Sequence, residues 1–277
     1  MVNEAGEPVV VYEKKGKVAI IRLNRPEVLN AMNFELSEQA LAAFQRSNED
    51  PDINCVIYTG TGRAFQAGAD THSMEARDRG EPANWGANRA PSTSLKPVVA
   101  AVNGICAAGA FIMLAGCDVI ICSDDATFFE SHTDLGLLGN GEAFAAATLM
   151  PFHLAMRFTL MGRTERINAD RAYQIGLVSE VVPRDKLMDQ AIEIASAIAS
   201  KAPLQTRLIR WSMRHVFLEE PYNHAKEEVA RWVSPIVNNS PDAKEGARAR
   251  NQRREPKWTG EIGPIQWQWM KLWQKKT

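Results

Sequence analysis

The chain is poor in the features that would place it in a membrane, outside the cell or on a polyanion. No apolar run reaches the ~18 residues of a membrane-spanning helix. The segment Met1 to Val10 has neither the basic opening nor the apolar stretch of a secretory leader. Only four cysteines occur, Cys55, Cys106, Cys117 and Cys122, with no close CxxC pair and no histidine at ligand spacing. Reduced, buried thiols in a cytoplasmic protein are therefore expected, and a metal site is not. A net charge of -1 gives no electrostatic reason to expect nucleic acid as a partner. No motif for a redox cofactor, no internal repeat and no long low-complexity tract is present.

The 277 residues suffice for one large α/β domain with a smaller appendage. Val9 to Tyr12 and Val18 to Leu23 read as strands of a hairpin turning at Lys14-Lys15-Gly16-Lys17. A helix is predicted from about Asn33, with Phe34, Leu36, Ala40, Leu41 and Phe44 near helical spacing, ending near Asp50-Pro51. Cys55 to Thr59, Pro97 to Val102, Val119 to Cys122 and Ala126 to Phe129 read as further strands. An apolar helix is expected over Ala107 to Ala115. Strands alternating with helices imply a mostly parallel sheet with crossover helices. The stretch from Asp70 to Ala90 reads as a polar surface segment. Beyond Pro151 the pattern turns helical: Ile167 to Ile175, Leu187 to Ser200, Pro203 to Phe217 and Tyr222 to Val237. The division expected is a core over 1–200 and a helical region over 201–277. The latter ends in an aromatic tail with Trp258, Trp267, Trp269 and Trp273, expected to pack on its own protein or a neighbouring subunit.

Two segments carry the chemistry. Arg63-Ala-Phe-Gln-Ala-Gly-Ala-Asp70 follows one strand, and Asn103-Gly-Ile-Cys-Ala-Ala-Gly-Ala110 follows another and opens a helix. Small residues let a backbone approach a ligand, and a helix start leaves N–H groups unpaired. Two such N–H groups aimed at one oxygen would make an oxyanion hole. Each loop alone is equally an ordinary tight turn.

Taken in order, RAFQAGAD and KPVVAAVNGICAAGA resemble the paired signatures of the crotonase (enoyl-CoA hydratase/isomerase) superfamily. So do LNRPEVLNAMN, GRTERINADRAYQIGLVSEVVP and SPDAKEGARARNQRREPKWTG. The resemblance spans roughly residues 8 to 260. It implies an α/β spiral core with a C-terminal helical region, assembly as a homotrimer or homohexamer, and a CoA thioester as substrate, with coenzyme A entering only as part of it. By position, the N–H groups of Ala69 and Gly109 would hold the thioester oxygen. Ala67, Gly68 and Asp70 would line the CoA entrance, and Arg25 with Val28 and Leu29 would lie near the CoA nucleotide.

The pattern then breaks. Hydratases of that family carry a glutamate three residues past the oxyanion glycine, where Ile112 stands, and a second where His132 stands. Without both, ordinary hydration lacks its acid and base. Other polar groups gather instead: Glu130, His132 and Asp134, then Asn140, where some relatives carry an Asp, and Glu142. His132 is expected to be the main proton carrier, a base that titrates near neutrality, with Glu142 as partner or second base. Asp134 reads as a turn residue at the edge of the site, and Glu130 as a group bonding across a subunit boundary. His72, just after the first loop, is a candidate contact to the acyl group or CoA. The competing readings are a hydrolase cleaving a β-diketone or β-keto thioester, and a silent family member that binds CoA esters.

Overall fold

The computed structural model describes residues 6–70, 86–211, 213, 214, 227 and 241–257. His72, most of the Asp70 to Ala90 stretch, all but Glu227 of the helix expected over Tyr222 to Val237, and the tryptophan tail lie outside them.

Strands β1 (Val10–Lys15) and β2 (Val18–Leu23) form the antiparallel hairpin. Its turn is tighter than expected: strand pairing runs through Lys15, leaving Gly16 and Lys17, with Gly16 at φ 58°. Helix α1 (Phe34–Glu49) starts where Asn33 accepts the Leu36 N–H at 2.9 Å and stops at Asp50, before Pro51. Its last carbonyls are satisfied by a buried lysine: Lys96 Nζ donates to Ser47 O at 2.5 Å and Asp50 O at 2.6 Å.

Three consecutive turns of chain then repeat one plan, a long strand followed by a short one in a second sheet. They are β3 (Cys55–Gly60) with β4 (Ala64–Gln66), β5 (Val98–Val102) with β6 (Ile105–Ala107), and β7 (Val119–Ser123) with β8 (Thr127–Phe129). With β9 (Ile167–Asn168) and β10 (Glu180–Val182), they make a six-stranded sheet β1-β2-β3-β5-β7-β10 and a four-stranded sheet β4-β6-β8-β9. All neighbours in the large sheet from β2 onward are parallel. Helix α2 (Ala110–Ala115) follows β6 and precedes α3 (Asn140–Leu149), α4 (Phe152–Met161) and α5 (Ala169–Gln174). The helix expected over Ala107 to Ala115 thus starts at Ala110, and that over Ile167 to Ile175 starts at Ala169. Each is preceded by a strand too short to leave a periodic signal.

Both faces of the large sheet are covered at its centre, so β2, β3 and β5 are apolar at nearly every position. Ala19, Ile21, Val56, Tyr58, Val98 and Ala100 face the main core with α1 and the second sheet. Val18, Ile20, Ile57, Val99 and Ile121 face helix α6 (Leu187–Ala199) through Leu187, Ala191 and Ala195.

Helix α7 (Pro203–Trp211) is fastened to the core by charge. Asp118 accepts Arg210 Nε at 2.8 Å and Arg214 Nε at 2.7 Å. The same two guanidiniums cap the C-terminal end of α2: Arg210 donates to Gly116 O, and Arg214 to Ala115 O and Cys117 O. Helix α8 (Pro241–Asn251) packs on the 3-10 turn Thr133–Leu135, where Gly246 leaves room for the Leu135 carbonyl. No helix among the described residues is long and apolar enough to cross a membrane.

Candidate active site

The first loop is held open from behind. Gln66 folds onto it, its amide donating to Gly68 O at 2.6 Å and accepting the Gly68 N–H at 3.0 Å. The Met32 N–H donates to Gly68 O and the Asp70 N–H to Met32 O, so residues 68–70 run parallel to the chain at Met32. Ala67 N–H donates to Leu29 O at 3.2 Å. Asn30, fully buried, ties that segment down through Arg25 N, Thr61 O and Ala64 O. In this pattern the Ala69 N–H has no acceptor among the described residues. Arg25 and Asp70, both expected near CoA, are brought together as an ion pair at 3.1 Å, and Arg25 also donates to Ala31 O at 2.7 Å.

The second loop meets the first. Ala108 adopts φ 50°, and its N–H donates to Phe129 O at 3.1 Å. Gly109 is the residue before α2, and its N–H likewise has no acceptor among the described residues. A Cβ on Gly68, which has φ 98°, would lie 3.1 Å from Ala108 Cβ. The first loop's backbone therefore lies close to the Ala108 side chain, because it carries no side chain there.

Just past Phe129, whose carbonyl accepts the Ala108 N–H, begins a carboxylate–imidazole–carboxylate row. Glu130, 1% exposed at the end of β8, presents Oε1 to His132 Nδ1 at 2.5 Å. Glu142, in the first turn of α3, has Oε1 3.9 Å from His132 Nε2 and no hydrogen-bond partner of its own among the described residues. Burial alone would lower the His132 pKa, but the charges of Glu142 and Glu130 and the bond to Glu130 outweigh it and raise it to about 9. Burial would raise the Glu130 carboxyl, yet the His132 charge and the N–H groups on it hold it below the usual range. The two carboxylates bias His132 toward its protonated form, and Glu130 bonds within its own chain.

The remaining candidates take defined places. Ile112, on α2, packs at the start of α3, where a Cβ on Gly141 would lie 3.0 Å from its Cδ1. Asn140 opens α3 half-buried. Asp134, a candidate for the substrate side, accepts the Arg163 N–H at 2.7 Å. Glu130 as the partner of His132, and Gly139 and Gly141 as the positions that make room for His132 and Ile112, were not read from the sequence. Only the spacing of Glu130, two residues before a histidine at a strand end, offered a signal. No group of three metal-ligating side chains occurs among the described residues.

Two sheets wound in repeating strand–strand turns, with paired glycine-containing loops at the strand ends, define a crotonase fold. The enoyl-CoA hydratase/isomerase family model matches residues 13–261, and the chain belongs to that family. It is 32% identical over 258 residues to the enoyl-CoA hydratase EchA19 of Mycobacterium tuberculosis, covering 90% of this chain and 96% of the relative. It is 34% identical over 258 residues to the carnitinyl-CoA dehydratase of Proteus mirabilis, covering 89% and 96%. The crystal structure of a carnitinyl-CoA hydratase from Mycobacterium avium superposes with a TM-score of 0.81 at 29% identity, over 92% of this chain and all of that one.

Proposed function

We propose that this protein binds an acyl-CoA thioester, draws charge onto its carbonyl oxygen between the N–H groups of Ala69 and Gly109, and moves a proton with His132 and Glu142. The observation that carries this reading is the His132–Glu142 pair, 3.9 Å apart, which follows the strand end whose Phe129 carbonyl accepts the Ala108 N–H of the second loop. A cationic donor and an anionic acceptor side by side form an acid and a base ready to work at one carbon. Two main-chain donors would stabilise the enolate, each contributing about 2.7–4 kcal/mol. Ile112 offers no group to activate water or to protonate a leaving hydroxyl, which favours isomerisation over hydration or its reverse. The hydrolytic alternative needs an uncharged imidazole to activate water, and the two flanking carboxylates work against that. Arg25, Leu29, Ala67, Gly68 and Asp70 form the side from which CoA enters, with the Arg25–Asp70 pair stiffening it.

Self-association is part of the same reading. Phe152, Met156 and Leu160 are 62%, 42% and 67% exposed along one stripe of α4, apolar surface that a second copy would cover in a homotrimer or homohexamer.

The test is α-proton exchange. Butyryl-CoA incubated with the protein in D2O should gain deuterium at its α-carbon, read by mass spectrometry; Glu142→Gln should abolish it and His132→Gln should slow it. A panel of saturated and unsaturated acyl-CoA thioesters with neither exchange nor turnover would refute the proposal.

A further inference from the structure

We propose that Glu130 is the positioning residue of this site: it fixes the ring of His132 and keeps its proton, so that Nε2 is presented toward Glu142. This rests on His132 being the proton carrier.

Three donors converge on one oxygen of Glu130. Oε1 accepts the Ser131 N–H at 2.6 Å, the His132 N–H at 2.8 Å and His132 Nδ1 at 2.5 Å. Two of these are backbone groups, so the carboxylate is anchored independently of the ring it holds. A carboxylate can only accept, so the Nδ1 side must carry hydrogen. When the ring holds a second proton, that proton sits on Nε2, facing Glu142. The 3.9 Å gap to Glu142 is too long for a hydrogen bond, which leaves the Nε2–H for a reacting atom.

The surroundings enforce one ring position. Gly139, at φ 53°, passes so close that a Cβ there would lie 2.6 Å from His132 Cγ. Glu130 follows Phe129, whose carbonyl accepts the Ala108 N–H. The same strand end therefore anchors both the imidazole and the loop bearing Gly109. Among the described residues, the charged groups facing His132 are Glu130 from its own segment and Glu142 from α3. Asp134, two residues on, is taken up by Arg163.

The experiment uses the full chain with 15N-labelled histidine, the His132 signals being identified by their loss in His132→Gln. Glu130→Gln keeps the shape and the accepting oxygen but removes the charge; Glu130→Asp keeps the charge but shortens the reach. In both variants the His132 titration should move down toward the ordinary histidine range, and the Nδ1 proton resonance should lose its downfield position. With an acyl-CoA that turns over, kcat should fall by roughly 10²-fold while KM stays within about threefold. A purely structural role would lower the melting temperature of both variants and leave the His132 titration where it is in the parent; that result overturns the proposal. The titration needs no substrate, so it distinguishes failure at Glu130 from failure of the catalytic reading, which the deuterium exchange measures separately.

Discussion

Gly139 and His132 are in such close contact that the glycine has no room for a side chain: a Cβ would lie 2.6 Å from His132 Cγ, in a backbone already at φ 53°. Gly139→Ala should therefore cost about 1–2 kcal/mol from the left-handed backbone alone. It should also push the imidazole off its line between the two glutamates. A lowered melting temperature accompanied by loss of α-proton exchange is expected; a stability loss with exchange intact would show that the ring tolerates displacement.

The pH dependence follows from the raised His132 pKa. Below about pH 6.5, the ordinary histidine value, the ring is charged both folded and unfolded, and its pairing with the glutamates stabilises the fold fully. As pH rises, the folded state keeps a proton that the unfolded chain has released, so this contribution declines and is gone above about 9. Activity that uses the imidazolium should hold through neutrality and fall as pH passes about 9. A profile of kcat/KM against pH checks this, and a rise toward alkaline pH would restore His132 as a base.

Ile112→Glu should return a carboxylate to the position that hydratases of this family use. It should confer or increase hydration of a short enoyl-CoA, followed as loss of the conjugated thioester absorbance. Burying a carboxylate beside Gly141 should cost about 1–3 kcal/mol of stability, read by denaturant unfolding.

Asp118→Ala should be among the most damaging single changes far from the chemistry. It leaves two buried guanidiniums with only backbone carbonyls as acceptors, and because Asp118 is itself partly solvated the cost should be about 1–3 kcal/mol. Thermal unfolding should show the loss. Replacing all three residues with apolar ones should recover part of it.

Phe152→Glu with Leu160→Glu should lower the assembly state without lowering secondary structure, because both side chains are already more than 60% exposed in the single chain. Sedimentation velocity separates this from unfolding.

The long strands were legible because both faces of the main sheet are covered, and Val18–Leu23, Cys55–Gly60 and Val98–Val102 are apolar at nearly every position. The two-residue and three-residue strands were not legible, since Ala64–Gln66 or Ile167–Asn168 cannot display a period and owe their pairing to neighbours. At the site, the glycines of the two loops stood out. The charge state of His132 did not, because it depends on a ring orientation and on Glu142, which arrives from a separate helix. The role of Glu130 was hidden for a related reason: its carboxylate folds back on its own following amides, a conformation that composition does not encode.

The four cysteines are all buried and unpaired. Burial raises Cys55, Cys117 and Cys122 to about 12, so almost none of these thiols ionises at neutral pH. Alkylating reagents therefore meet nothing reactive until the molecule comes apart. Cys55 sits under α6, Cys117 beside the arginines that clasp α2, and Cys106 and Cys122 in the main core, so the order in which they are labelled would chart which layer lets go first, with no probe added to the native chain.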